Sequence, residues 1–176
     1  MLSLTGLSFT VDPSNYEEVL VRGANPRRLA NRLSSEKAMA VARKYRNALI
    51  IAADTFIVYR GNLMGKPHTR EEALKMLGLL NGKSHSVVTG FTIIDTATGK
   101  RLSRSVETKV WFRKLTKKEI TSYVKTGEPL DKAGGYAIQG LGSLIVEKIE
   151  GDYFNVIGLP LSSLAEALKK FGVHVL

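Results

Sequence analysis

Residues 49–59 read LIIAADTFIVY. The run is β-branched, aromatic and almost continuously apolar, the pattern of a strand buried on both faces. Asp54 stands in its middle. An unpaired carboxylate in an apolar core is costly, so Asp54 should face a cation, a metal or a cleft. The plainer alternative is a carboxylate satisfied by neighbouring backbone or a structural arginine. An acidic side chain interrupting a core strand nevertheless makes Asp54 the first candidate for function.

Working outward, Arg60-Gly61-Asn62 turns the chain back and Gly65-Lys66-Pro67 closes the second arm. Upstream, Asn25 is a good N-cap and Pro26 suits a first helical position, opening a helix to about Tyr45. Its apolar stripe is Leu29, Leu33, Ala40 and Val41, and Lys37 falls on that stripe. A lysine there either snorkels from the core edge or lines a cleft.

Downstream, Thr69 with Glu72 forms a capping box for a helix that presents Ala73, Leu77 and Leu80 and stops at Asn81-Gly82. Strands over 86–95 and 102–112 follow, joined at Thr98-Gly99-Lys100. Thr116 with Glu119 opens another helix that ends at Gly127. A strand over 144–149, a turn at Glu150-Gly151-Asp152 and the segment 155–158 come next. Pro160 then starts a final helix with Leu161, Leu164, Leu168 and Phe171 inside. Helices and strands alternate with hairpins among them, which predicts one α/β domain over 1–176 with a mixed sheet.

The stretch 128–142, EPLDKAGGYAIQGLG, sets Glu128, Asp131, Lys132 and Gln139 among Gly134, Gly135, Gly140 and Gly142. Glycine lets backbone approach a ligand closely. A carboxylate, an ammonium and an amide on such a frame suit a metal or water, a phosphate and a base edge. The stretch reads as a ligand loop rather than a linker.

Composition narrows the partners. The chain carries a formal net charge of +10, which favours an anionic partner. It has no cysteine and three scattered histidines (His68, His85, His174), which argues against disulfides and a structural zinc site. No stretch approaches the roughly 18 apolar residues of a membrane span, and the N-terminus does not read as a signal peptide, so the cytoplasm is expected. Aromatic residues are not interleaved with basic ones as stacking platforms, which disfavours a nucleic-acid module. There is no GxxxxGK[ST] and no kinase signature. Lys37, Lys66 and Lys132 with Glu18, Asp54 and Asp131 nevertheless make up an inventory for a nucleoside triphosphate and a divalent ion.

RLSSEKA (32–38), ADTFIV (53–58), GKP (65–67), GEPLDKAGGYAIQGLG (127–142) and NVIGLPL (155–161) together resemble the Maf family of nucleotide pyrophosphatases. The resemblance covers essentially the whole chain, and the long block is its most specific part. It implies an elongated α/β fold of two lobes with the nucleotide in the cleft, related to inosine triphosphate pyrophosphatases. The activity implied is hydrolysis of nucleoside triphosphates between the α and β phosphates, with Mg²⁺ or Mn²⁺. By the same resemblance Asp54 is the proton acceptor or a metal ligand, and Glu18 is an acidic residue near the metal. Lys37 and Lys66 grip the triphosphate, while Thr55 and Gln139 go with substrate choice. The ADT and IQG combination resembles the branch acting on dTTP and UTP. Asp131 and Lys132 match the block in supporting roles, or as an ion pair pinning the loop. A homodimer is a further implication.

The chain departs from the family at its start. MLSLTGLSF corresponds to the segment after a phosphate-cradling S-x-S-P-R-R loop, and Asn25-Pro26-Arg27-Arg28 holds a different family position. The expectation is therefore a start placed too late, or else a natural short form of weak or altered activity, with a sheet edge left unpaired or open to a partner strand. The competing expectation is a nucleotide-binding protein with weak or no hydrolysis, linked to restraint of cell division.

Overall fold

A computed structural model describes residues 1–16 and 23–176. Helix α1 spans Pro26–Ala42, and the Asn25 side chain accepts from the Arg28 amide at its start. Strand β1 (Leu49–Tyr59) turns through Arg60-Gly61 into β2 (Asn62–Met64). Arg60 is the non-glycine residue at positive φ among the described residues, at 49°, followed by Gly61 at 77°. This pair of left-handed residues makes the tight turn that matches strand twist.

Thr69 caps α2 (Arg70–Leu80), and β3 (Ser84–Asp95) and β4 (Arg101–Phe112) form a long hairpin. Thr116 and Glu119 close a full capping box on α3 (Lys117–Lys125). After the glycine loop come β5 (Val146–Glu150), a short α4 (Tyr153–Ile157) and α5 (Leu161–Leu168). The strand order is β2-β1-β3-β4-β5. The α/β architecture matches the expectation. Where a sheet of mixed direction was expected, every pairing among the described residues is antiparallel. The β1–β2 and β3–β4 connections are hairpins, and α2 returns the chain to lay β3 against β1 in the opposite sense.

The two sheet faces carry different tasks. On one, Ile57, Val87, Val110 and Phe112 pack under α2 and α3 against Ala73, Leu77, Leu80 and Ile120. Farther along the same face, Phe91 and Ile93 pack under Leu164, Ala167 and Leu168 of α5. Between these clusters the face is polar, with Thr55 opposite Thr89 and Thr108 on the neighbouring strand. On the other face α1 lays Leu29, Ala30 and Leu33 on Phe56 and Val88. Gly90 permits that approach, because a Cβ there would lie 2.3 Å from the Ala30 carbonyl.

Two details differ from the expected pattern. Ala40 is only half-buried, whereas Ala30, Ser34 and Ala38 join the buried side of α1. The run Leu49–Ala53 is half-buried rather than core. The cause is that β2 pairs only with residues 57–59 of β1, so 49–56 has no strand on that side among the described residues. A cavity of about 500 Å³ lies along this edge, bordered by Leu7, Phe9, Lys37, Val41 and Tyr45. No helix among the described residues is long and apolar enough to cross a membrane.

Candidate active site

Strand alternation decides where each polar residue of β1 points. Asp54 lies opposite Gly90 on the α1 face, and its carboxylate is 7% exposed. The Lys37 ammonium reaches it from α1 at 2.5 Å, with the lysine side chain 18% exposed. The close seating of α1 over Gly90 makes this reach possible. Lys37 therefore lines the cleft instead of snorkelling away from it.

Thr55 points to the opposite face. Its hydroxyl meets that of Thr89 at 2.8 Å, and Thr89 donates to the Asn155 carbonyl at 2.9 Å. Asn155 is fully buried and its amide donates to the Val87 carbonyl (3.1 Å) and the Thr108 hydroxyl (2.9 Å). The NVIGLP block thus fastens α4 across the polar belt of the sheet. Gly158 follows at φ 117°, and a Cβ there would sit 3.4 Å from the Thr55 hydroxyl.

The glycine loop is tied at several points. Gly134, at φ 69°, donates to the Gly65 carbonyl at 2.8 Å, joining the loop to the GKP turn. A Cβ at Gly134 would lie 2.3 Å from the Ile57 side chain. Glu128 accepts from the Tyr123 hydroxyl (2.8 Å), the Leu141 amide (3.1 Å) and the Gly142 amide (2.9 Å). Tyr123 in turn accepts from the Ala137 amide at 3.1 Å. Burial, with Glu128 as acceptor, raises the Tyr123 pKa and keeps it a protonated donor. These bonds bracket Ile138 and Gln139 and fix where the Gln139 backbone leaves the cleft wall.

Tyr136 of the loop is anchored by His85, whose Nε2 lies 2.7 Å from the phenol. His85 is 3% exposed, and burial lowers its pKa from 6.5 to about 4, so its ring is neutral at pH 7. Phe112 packs edge-on against both rings.

Asp54, Lys37, Thr55, Lys66, Asp131, Lys132 and Gln139 all line one cleft of about 1550 Å³. Residues from both faces of β1 share it, so the cleft wraps the edge of that strand left without a partner strand among the described residues. Glu18 lies outside the described residues. Asp131 and Lys132 form an exposed 2.9 Å ion pair, and Lys132, with Lys66 farther off, holds the Asp131 carboxyl below the usual carboxylate range. Arg27 pairs with Glu107 on the surface, 3.2 Å away and 59% exposed.

The structure adds residues that sequence reasoning passed over. Arg60 and Lys75 border the cleft, so Lys37, Arg60, Lys66, Lys75 and Lys132 outweigh Asp54, Glu72 and Asp131 in charge. Such a concave basic surface attracts polyanions. Thr89 and Asn155 sit behind Thr55, and Glu128 and His85 behind the glycine loop. Only Asn155 and Glu128 carried a sequence signal, through the blocks that contain them.

An α/β sheet with a basic cleft, a buried lysine-paired aspartate and a glycine loop on its rim is the framework of a nucleotide-handling protein. The chain belongs to the family described as Maf-like protein, whose profile matches residues 1–171. It is 51% identical over 178 residues to a dTTP/UTP pyrophosphatase of Thermoanaerobacter sp. (strain X514), covering 100% of this chain and 93% of that protein. It is 48% identical over 172 residues to a dTTP/UTP pyrophosphatase of Methanosarcina barkeri, covering 98% and 87%. A Desulforamulus reducens protein of the same name is 47% identical over 175 residues, covering 99% and 92%.

Proposed function

We propose that this chain is a nucleoside triphosphate pyrophosphatase that converts dTTP or UTP to the monophosphate and pyrophosphate. The observation that carries the reading is Asp54, a nearly buried carboxylate held by Lys37 at the wall of a basic cleft. The relatives named dTTP/UTP pyrophosphatase support the substrate class.

In this reading a water molecule lies between Asp54 and the α-phosphorus. Its oxygen bonds to phosphorus while Asp54 takes its proton. The bond from the α-phosphorus to the oxygen bridging to the β-phosphorus breaks, and pyrophosphate leaves with that electron pair. Lys37 orients Asp54 and stands near the growing charge, while Lys66 and Lys132 hold the departing phosphates. Thr55 and Gln139 face the nucleoside.

A divalent ion, Mg²⁺ or Mn²⁺, suits this donor set. Among the described residues no group of three or more His, Cys, Asp or Glu could hold a metal alone. A hard ion that keeps several waters and bridges substrate phosphates needs only one or two carboxylates. Asp54 is one, and Glu18 is the second by family resemblance. When bound, such an ion neutralises phosphate charge and polarises the α-phosphorus.

The test is pyrophosphate release from a panel of nucleoside triphosphates with Mg²⁺ or Mn²⁺, using the wild type and Asp54→Asn. Release from dTTP or UTP that vanishes in the variant, while nucleotide binding persists, supports the reading. Nucleotide binding without release in the folded wild type would favour a binding protein instead.

A further inference from the structure

The hydrogen bonds behind Thr55 run in one direction only. A backbone carbonyl can accept but never donate, so the Asn155 carbonyl obliges Thr89 to spend its single hydroxyl hydrogen there. Asn155 is fully buried, held through its side chain by Val87 and Thr108, so this starting point is rigid. With its hydrogen committed, Thr89 meets Thr55 as an acceptor, and the Thr55 hydroxyl must donate to it across 2.8 Å. Thr89 is itself fully buried, so no solvent competes at that oxygen. What remains of the Thr55 oxygen on the cleft side is lone pairs.

We propose that the Asn155–Thr89 relay makes Thr55 an obligate acceptor in the cleft and so selects nucleotides that offer a hydrogen-bond donor there. The donor is the imide N–H shared by uracil and thymine. Cytosine presents a lone pair at the same ring position and would meet the Thr55 oxygen acceptor to acceptor. Gln139, exposed on the cleft rim, carries both amide donors and a carbonyl, so it can complement either neighbouring carbonyl of the imide. The inference rests on the proposed function for its substrates, but the polarity follows from this chain's own geometry. Thr89 and Asn155 act through Thr55 and are positioning residues.

The experiment compares kcat/KM for UTP, CTP and 3′-deoxy-UTP in the wild type, Thr55→Val, Thr55→Ser, Thr89→Val and Thr89→Ser. The wild type should prefer UTP to CTP. Thr89→Val frees the Thr55 hydroxyl to turn and donate to cytosine, so the UTP-to-CTP ratio should fall about tenfold, the scale of one hydrogen bond. Thr55→Val should narrow the ratio as well, and both serine variants should keep it. A merely structural role would lower UTP and CTP by the same factor in both valine variants, which would overturn the proposal. A change confined to the UTP-to-3′-deoxy-UTP ratio would move the donor to the sugar and overturn the base assignment. Should the wild type release no pyrophosphate from any nucleotide, the proposed activity fails. The relay is then judged by equilibrium binding of UTP and CTP, where the same ratio must shift in Thr89→Val or the relay falls too.

Discussion

Asp54 and Thr55 are consecutive in β1, yet they belong to opposite faces of the sheet. Asp54 meets Lys37 of α1 at 2.5 Å, and Thr55 meets Thr89 at 2.8 Å on the face that carries α4. Because no strand among the described residues pairs with this edge of β1 at that point, both reach the same cleft. In the proposed function, the two-residue period of a strand separates the group assigned to phosphate chemistry from the one assigned to the nucleoside.

Removing Lys37 takes a charged partner away from Asp54, a nearly buried carboxylate. Fully buried pairs broken this way lose roughly 3–5 kcal/mol, and water reaching Lys37 lowers the expectation for Lys37→Met to about 2–3 kcal/mol. Urea unfolding should show this loss, and Lys37→Met with Asp54→Asn should recover part of it. A double-variant loss equal to the sum of the two single-variant losses would mean the pair is not coupled.

Gly90 lies under α1, and a Cβ there would collide with the Ala30 backbone at 2.3 Å. Gly90→Ala should cost at least about 1–3 kcal/mol, the range for overpacking, because backbone cannot swing aside as a side chain can. Lifting α1 also withdraws Lys37 from Asp54, so kcat should fall more than thermal stability alone explains. A variant with normal melting temperature and normal kcat would show that α1 does not depend on this approach.

Glu128 collects three donors from the glycine loop and α3. Glu128→Ala should leave the Leu141 and Gly142 amides without an acceptor, at a cost of about 1–3 kcal/mol. Their hydrogen exchange should quicken, and in the proposed function KM should rise more than kcat falls, because these amides hold the segment that carries Gln139. A pure kcat defect would contradict that role.

His85 ties stability to pH. Its folded pKa of about 4 lies below the ordinary 6.5, so between these values the unfolded chain binds more protons than the folded one. The contribution is complete above pH 6.5 and is lost as pH falls toward 4. It amounts to about 3 kcal/mol at most, from about 1.4 kcal/mol per pKa unit. Denaturant midpoints should fall over that window in the wild type and fall less in His85→Phe.

Much of the site was legible because a charge in an apolar pattern is a local anomaly. Asp54 in LIIAADTFIVY and Lys37 on the α1 stripe both stood out for that reason, and each lines the cleft. Thr89 and His85 did not, since a threonine or histidine in a strand is ordinary until register places it behind a site residue. The half-exposure of Leu49–Ala53 was equally hidden, because an apolar run does not say whether both of its edges find partners. Arg60 was read as a turn residue and Lys75 was not singled out, and only the folding of β2 and α2 around the cleft brings them to its rim.

In the proposed function Asp54 activates the water that cleaves the triphosphate. The most direct measurement of that role is pyrophosphate release from dTTP and UTP by the wild type and Asp54→Asn, with nucleotide binding followed in parallel. Release by the wild type, a fall of at least about 100-fold in the variant and retained binding are the expected results for loss of a general base. Release undiminished in Asp54→Asn would contradict that role.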